Sequence, residues 1–195
     1  MRKGGGKAKG SEFERKVAKE LSLWISNGQT QDLLWRTALS GGRFSTGKST
    51  EGAGDLSALG TSELSKQFSK TICVECKTYQ EVSLTKAFLN DKADLIKWWN
   101  QVSGEAIKAN LVPMLIAKGN RQSTIIIFPI VVHNILGMLG NILEHIIISN
   151  FLIGNVVIYK YDDFIEFVKW NEFYPYVRNC GVKSEVKRKS PNVIR

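Results

Sequence analysis

The segment that decides the fold is residues 71–78, which read TICVECKT. Its apolar and β-branched residues predict a strand, and the side chains of a strand alternate between two faces. Glu75 and Lys77 are therefore expected to project together from one face, whereas Val74 and Cys76 pack into the core from the other. A solvated strand on which Glu and Lys merely alternate is the alternative interpretation. The apolar residues before Glu75 favour the buried strand.

Asp55 supplies a second carboxylate, because it follows the turn Gly52-Ala53-Gly54 and opens a short predicted strand over residues 55–59. If this strand lies beside residues 71–78, the Asp55 carboxylate meets that of Glu75. Two neighbouring carboxylates repel each other and favour a hard divalent cation between them. Such a cation lowers the pKa of a bound water and neutralises charge that develops on phosphorus. Lys77 could then position that water or stabilise a pentavalent transition state.

Glu14 lies on the first predicted helix, residues 11–26, and two interpretations of it stay open. The apolar residues at helical spacing form one stripe, made of Phe13, Val17, Leu21 and Trp24. Ser11-Glu12-Phe13-Glu14 fits a capping box, in which the glutamate caps the start of the helix. Alternatively, Glu14 stands at the edge of the buried stripe and reaches a metal ion or its bound water.

The rest of the chain alternates helices and strands, which predicts a mixed sheet with helices against it. A Gly/Ser/Thr-rich loop is expected over residues 40–54. We expect strands at 33–39, 55–59, 71–78, 112–117, 124–130 and 156–159, and further helices at 84–109, 131–150 and 162–170. Residues 118–121 read KGNR and predict a hairpin between two of these strands.

The positive charge is concentrated at the two ends of the chain. Residues 1–10 and 181–195 together carry nine Lys and Arg but one Glu, and so account for most of the net charge of +9. Basic, flexible ends suit contact with a polyanion such as nucleic acid. We therefore expect a basic arm over residues 1–10, a domain over residues 11–180 with its core at 11–130 and a C-terminal extension at 131–180, and a basic tail over 181–195.

Composition also bears on the location of the protein. The three cysteines, Cys73, Cys76 and Cys180, do not resemble a disulfide framework, which predicts a reducing, cytoplasmic environment. Residues 123–143 contain no Asp, Glu, Lys or Arg and are long enough to span a bilayer. Pro129, His133 and two asparagines interrupt them, so we expect a strand and a buried helix rather than a membrane segment. A homodimer surface is a further use for this apolarity.

Several smaller motifs point elsewhere and are set aside. Gly42–Ser49 matches the phosphate-binding loop pattern, but the residues after it cannot sustain the helix that such a loop needs. Arg43 and Lys48 are instead predicted to contact DNA backbone, with a solvated loop as the alternative. Cys73 and Cys76 fall on opposite faces of a strand and cannot chelate one zinc ion. His133 and His145 are interpreted as lone structural histidines.

The long helix around residue 98 carries a further signal. Trp98 and Trp99 are adjacent, so they cannot both face inward, and one is expected at the surface or at an interface. An exposed tryptophan there could stack on bases. Lys97 and Gln101 lie on the same helix and are candidates to line a cleft.

Four segments of the chain together resemble the PD-(D/E)xK nuclease superfamily, and within it the archaeal-type Holliday junction resolvases and their phage relatives. The segments are KGSEFERKV at 9–17, WRT at 35–37, GDL at 54–56 and ICVECK at 72–77. The resemblance implies an α/β fold of restriction-endonuclease-like architecture, with a mixed central sheet flanked by helices and an αβββαβ core. It implies an acidic site and a catalytic lysine made of Glu14, Asp55, Glu75 and Lys77. It also implies phosphate contacts by Arg15 and Arg36, with Ser40 assisting near the metal.

The sequence and the resemblance together predict a Mg²⁺-dependent endonuclease, for which Mn²⁺ can substitute. Asp55, Glu75 and the backbone carbonyl of Cys76 are the expected metal ligands, with Glu14 in support. The expected substrate is branched DNA, in particular a four-way Holliday junction, and a C2 homodimer fits the two symmetric cuts that a junction requires. A restriction- or repair-type nuclease of the same superfamily, or a non-catalytic DNA- or NTP-binding protein, are the alternatives. No membrane and no small-molecule substrate are expected.

Overall fold

A computed structural model describes residues 5–37, 53–90, 92–150 and 154–179. In chain order the elements are α1 (Gly5–Ile25), β1 (Leu34–Arg36), β2 (Leu56–Ala58), α2 (Glu63–Ser69), β3 (Ile72–Tyr79), α3 (Leu84–Leu89), α4 (Asp94–Ala109), β4 (Val112–Gly119), β5 (Ile125–Pro129), α5 (Ile130–Met138), β6 (His145–Asn150), β7 (Gly154–Lys160), α6 (Tyr161–Phe167) and α7 (Trp170–Val177).

Five of the strands form a mixed sheet in the order β3-β4-β5-β7-β6. β3 and β4 run parallel, joined by a crossover that contains α4, and the other neighbours are antiparallel. β1 and β2 pair with each other, and a parallel bridge from Gly54 to Val74 attaches this pair to the free edge of β3. The predicted α/β fold with a mixed, helix-flanked sheet is confirmed.

Helices cover both faces of the sheet, and for this reason all of the first five residues of β3 are buried. On one face, α1 and the C-terminal helices enclose Val74 and Cys76 together with Phe128 and Phe164. On the other face, α4 packs its buried residues against Cys73, Leu115 and Ala117 of β3 and β4. Cys73 and Cys76 therefore lie on opposite faces, as the alternation of β3 predicted.

Three predicted helices are broken in the structure. The helix expected over residues 84–109 is two helices, because Asn90 and Ala93 adopt extended backbone angles between α3 and α4. The helix expected over 131–150 ends at Met138, and Gly140 then takes a left-handed φ of 74°. The isoleucines that follow become β6, because they pair along β7. Residues 162–170 contain a further break, since the backbone is extended at Val168.

The start of α1 corrects the capping interpretation of Glu14. The helix begins at Gly5, so the last six residues assigned to the flexible arm are helical and Ser11 lies well inside the helix. Glu14 therefore cannot cap the helix start. The short helix α2 had no counterpart in the predicted elements. The domain boundaries themselves stay a prediction.

The description of His133 and His145 as lone histidines is wrong. His133 on α5 and His145 at the start of β6 lie side by side, with ring centroids 4.2 Å apart. Their Nδ1 atoms are hydrogen-bonded to the Tyr159 hydroxyl at 2.9 Å and to the Leu143 carbonyl at 2.8 Å. Residues 125–138 do form the expected strand and helix. Within the described ranges, no helix is long and apolar enough to cross a membrane.

Candidate active site

β3 presents Glu75 and Lys77 on the face that α4 covers. The two side chains form an ion pair between Glu75 Oε1 and Lys77 Nζ. Gln101 of α4 donates a second hydrogen bond, from Nε2 to Glu75 Oε1 at 2.9 Å. Glu75 is only 1% exposed, which is rare for a carboxylate unless its charge is compensated. The predicted projection of Glu75 and Lys77 from one face is therefore correct, and the strand is buried rather than solvated.

Asp55 is held at the edge of β3 by its own backbone and side chain. Its N–H donates to the Val74 carbonyl at 2.7 Å, and its Oδ2 accepts a hydrogen bond from the Cys76 N–H at 2.9 Å. The residue before it, Gly54, has a φ of 79°, and a Cβ there would lie 2.3 Å from the Val74 carbonyl oxygen. Only glycine fits this close approach, so the Gly-Asp pair fixes the buried Asp55 against β3.

The buried carboxylates perturb each other. Burial raises the pKa of Glu75 to about 7, with repulsion from Asp55 and Glu105 adding to the effect and the attraction of Lys77 opposing it. Burial by itself lowers the pKa of Lys77, but its charge attraction and hydrogen bond to Glu75 and the charge of Asp55 raise that pKa overall. Lys77 is therefore an ammonium ion at neutral pH. Its single positive charge does not fully offset the cost of ionising the buried Glu75 carboxyl.

The oxygen donor atoms around Glu75 suit a hard divalent cation. Asp55, Glu75 and the carbonyl of Cys76 offer oxygen atoms, which Mg²⁺ and Mn²⁺ prefer. The thiols do not compete, because burial raises the pKa of both Cys73 and Cys76 and keeps them protonated. In the described part of the chain, no three His, Cys, Asp or Glu side chains are grouped closely enough to hold a metal by themselves. A cation here would depend on the carboxylate pair and on backbone or substrate oxygens.

Glu105 is a carboxylate of this site that the sequence did not reveal. Its Oε2 accepts a hydrogen bond from the Gly54 N–H at 3.0 Å, and its charge contributes to the raised pKa of Glu75. Gln101 and Glu105 are four residues apart and so share one side of α4. That spacing is visible in the sequence, but the alignment of α4 along β3 is not. Gln101 was a candidate cleft residue, whereas Lys97 pairs with Asp94 at the exposed start of α4.

Glu14 of α1 forms an ion pair with Arg36 Nε. Burial raises the pKa of the Cys76 thiol, and the charge of Glu14 adds to this effect. The Cys76 side chain lies on the face of β3 that α1 covers. Arg36, a predicted phosphate contact, is therefore engaged with a carboxylate, and Arg15 is exposed on α1. The other predicted DNA contacts, Ser40, Arg43 and Lys48, lie outside the described residues, as does the Gly42–Ser49 loop.

The comparison with known families agrees with this geometry. The profile of a family described as "Phage putative PDDEXK endonuclease" matches residues 5–175. The chain belongs to this family. No curated protein and no solved structure gives a significant match.

Membership in the PDDEXK family places the chain among the nucleases of the PD-(D/E)xK superfamily, and DNA is the substrate that such an endonuclease implies. The match also includes residues 131–175, which cover β6, β7, α6 and most of α5 and α7. For this PDDEXK endonuclease, the acidic pair at the edge of β3 and the lysine beside it are the natural candidates for the chemistry.

Proposed function

We propose that this PDDEXK endonuclease hydrolyses DNA phosphodiester bonds at a site formed by Asp55, Glu75 and Lys77, with Mg²⁺ as the cofactor and Mn²⁺ as an effective substitute. The observation that supports this best is the burial of two carboxylates against one edge strand with a single ammonium group beside them. Ionising both carboxylates of such an arrangement costs free energy, which a bound cation would offset. Family membership supplies the reaction class.

Each residue of the site has a role that its environment supports. Asp55, Glu75 and the Cys76 carbonyl would hold the cation, which when bound acidifies water and polarises the scissile phosphate. Lys77 is protonated, so it donates hydrogen bonds to the attacking water or to the phosphate oxygens and does not remove a proton. Gln101 holds Glu75 in position. Glu14 is proposed to support the site through Arg36, which could exchange its carboxylate partner for a DNA phosphate.

The proposed substrate is branched DNA, with a four-way junction as the first candidate. The net charge of +9, most of it in the two terminal segments, supports contact with several phosphates and recognition by shape rather than by base edges. Arg15 of α1 and Arg43 and Lys48 of the 40–54 loop are proposed backbone contacts, with Ser40 near the metal. Restriction- or repair-type cleavage of other DNA is the alternative within the superfamily.

A homodimer is proposed, with β6 as its contact strand. β6 forms one edge of the five-stranded sheet, and its outer side has no strand partner among the described residues. Charged side chains and prolines are two devices by which proteins protect sheet edges from pairing. Residues 145–150 contain neither. Ile146 and Ile147 are both about half exposed. An antiparallel edge can pair with a second copy of itself about a two-fold axis, which fits a symmetric cut of two strands.

A cleavage assay tests the proposed reaction. Wild type, Asp55→Asn and Lys77→Ala are compared on a four-way junction and on linear, flap and single-stranded DNA, with Mg²⁺, with Mn²⁺ and with EDTA. We expect both variants to lose cleavage while they retain affinity for the junction. Asp94→Asn and Lys97→Ala, which alter an exposed ion pair at the start of α4, are the matched controls and should cut normally. Cleavage by Asp55→Asn at the wild-type rate would overturn the mechanism.

The preferred DNA and the oligomeric state are read out separately. Faster cutting of the junction than of the other DNAs supports a resolvase, whereas equal rates or a preference for linear duplex support a restriction- or repair-type enzyme. Binding with no cleavage in either metal supports the non-catalytic alternative. Light scattering should give a dimer for wild type and a folded monomer for Ile147→Lys. A wild-type monomer at the concentrations used for cleavage contradicts the β6 interface.

A further inference from the structure

An exposed aromatic pair continues the line of the candidate active site. Tyr79 is the last residue of β3, two positions after Lys77 and therefore on the same face of the strand, and it is 52% exposed. Trp98 of α4 contacts it, with ring centroids 5.7 Å apart and ring planes at 71°. This edge-to-face contact is a favourable aromatic geometry. It fixes the position of Tyr79 while much of the tyrosine side chain stays open to solvent.

One side of α4 follows β3 from the carboxylates to this pair. Trp98, Gln101 and Glu105 are separated by three and four residues and so share a side of the helix. They contact Tyr79, Glu75 and Gly54 respectively. A strand rises about 3.3 Å per residue, so Tyr79 lies about 7 Å beyond Lys77 and about 13 Å beyond Glu75. That separation equals about two to four stacked nucleotides of one DNA strand at 3.4 Å each.

A base in an intact duplex cannot use an aromatic ring at this place, because its neighbours in the stack cover both of its faces. An unpaired or splayed base can, and such bases stack on Tyr and Trp side chains. We propose that the Tyr79–Trp98 pair stacks on an unpaired nucleobase beside the bond that is cut. The inference rests on the proposed function and narrows its substrate to DNA that carries an unpaired or splayed nucleotide near the cleavage position.

The surroundings of Tyr79 suit a DNA single strand. Arg121 is exposed in the turn between β4 and β5. The preceding residue, Asn120, donates a hydrogen bond from its N–H to the carbonyl of Gln80, just after β3, at 3.1 Å. Within the described ranges Arg121 has no ion-pair partner, so its guanidinium is available for a phosphate. α3, which packs against α4, carries the exposed side chains of Phe88 and Leu89.

Binding measurements in an Asp55→Asn background test the inference without cutting. The probes are a single-stranded oligonucleotide that contains 2-aminopurine and the same sequence as a fully paired duplex, both in EDTA. We expect the single-stranded probe to bind with quenched fluorescence, as stacking on an aromatic ring requires. Adding Tyr79→Ala should weaken this binding by roughly 5- to 150-fold and remove the quenching. Duplex affinity should change by less than about twofold, because no base is free to stack.

Two variants separate stacking from general surface effects. Tyr79→Phe keeps the ring and should bind and quench like the parent. Tyr176→Ala removes another tyrosine of similar exposure, 47%, on α7 and should change nothing. The inference is overturned if Tyr79→Ala binds the single strand as tightly as the parent, if it weakens both probes equally, or if the parent does not bind the single strand. Cleavage by Asp55→Asn would instead overturn the proposed nuclease mechanism, so the two failures are distinguishable.

Discussion

Replacing Glu75 with Gln measures how much ionisation of this buried carboxyl lowers the free energy of unfolding. Burial, aided by repulsion from Asp55, raises the pKa of Glu75 from 4.5 to about 7. A carboxyl whose pKa is raised in the folded state binds its proton more tightly there, and this stabilises the fold. The stabilisation is complete below the unfolded pKa and is lost as the pH rises through the folded pKa of about 7. Gln stays neutral throughout and keeps an oxygen acceptor for Lys77 and Gln101. The variant should therefore gain stability relative to wild type as the pH increases.

The size of the effect follows from the two pKa values. Their difference of about 2.5 corresponds to about 3 kcal/mol when Glu75 is fully ionised in both states. At pH 8.5 nearly all of this free energy is present, whereas at pH 5 about 1 kcal/mol or less is present. The advantage of Glu75→Gln over wild type should thus grow by about 2–3 kcal/mol between the two pH values. Any constant effect of the substitution cancels in this difference.

Urea unfolding followed by circular dichroism, in EDTA at pH 5 and pH 8.5, gives the four free energies required. Glu144→Gln is the control, because Lys160 lowers the pKa of that exposed carboxyl and its pH dependence should have the opposite sign. A difference between Glu75→Gln and wild type that is the same at both pH values, within about 0.5 kcal/mol, would refute the account of a buried, uncompensated carboxylate.

Three further predictions concern the same region. Mg²⁺ at 10–100 times its dissociation constant should stabilise wild type by about 1.4–2.7 kcal/mol, and should leave the melting temperature of Asp55→Asn nearly unchanged. Gly54→Ala should destabilise the protein by about 1–3 kcal/mol in urea unfolding, because it combines a left-handed φ with a clash against β3, and wild-type stability would contradict that. Cys73 and Cys76 should react with a thiol reagent at least about tenfold more slowly in the native than in the unfolded protein, and equal rates would show that they are accessible.

Local sequence pattern predicted the elements whose geometry is itself local. The alternation of residues 72–78 placed Glu75 and Lys77 on one face of a strand, because side-chain direction on a strand has a period of two. The hairpin of β4 and β5 followed from two β-rich runs around a short turn. The Gly-Asp and Glu-x-Lys segments carried the family resemblance, and the family match over residues 5–175 confirmed the superfamily.

Where the sequence pattern was ambiguous, long-range pairing decided the structure. The run Ile146-Ile147-Ile148 suits a buried helix as well as a strand, and it is a strand because β7 supplies its hydrogen-bond partners. The same pairing places His145 next to His133, although the two residues are distant along the sequence. At the N-terminus, a capping motif that is locally complete lies inside a longer helix, because α1 begins at Gly5.

The sequence by itself determined which chemical groups this endonuclease carries and which strand face presents Glu75 and Lys77, since both depend on neighbouring residues along one chain. Only the tertiary structure decided which of these groups lie next to one another. The parallel crossover sets how α4 lies along β3, and that placement adds Gln101 and Glu105 to the carboxylate site. Burial between two layers of helices, which no short segment encodes, is what shifts the pKa of Glu75.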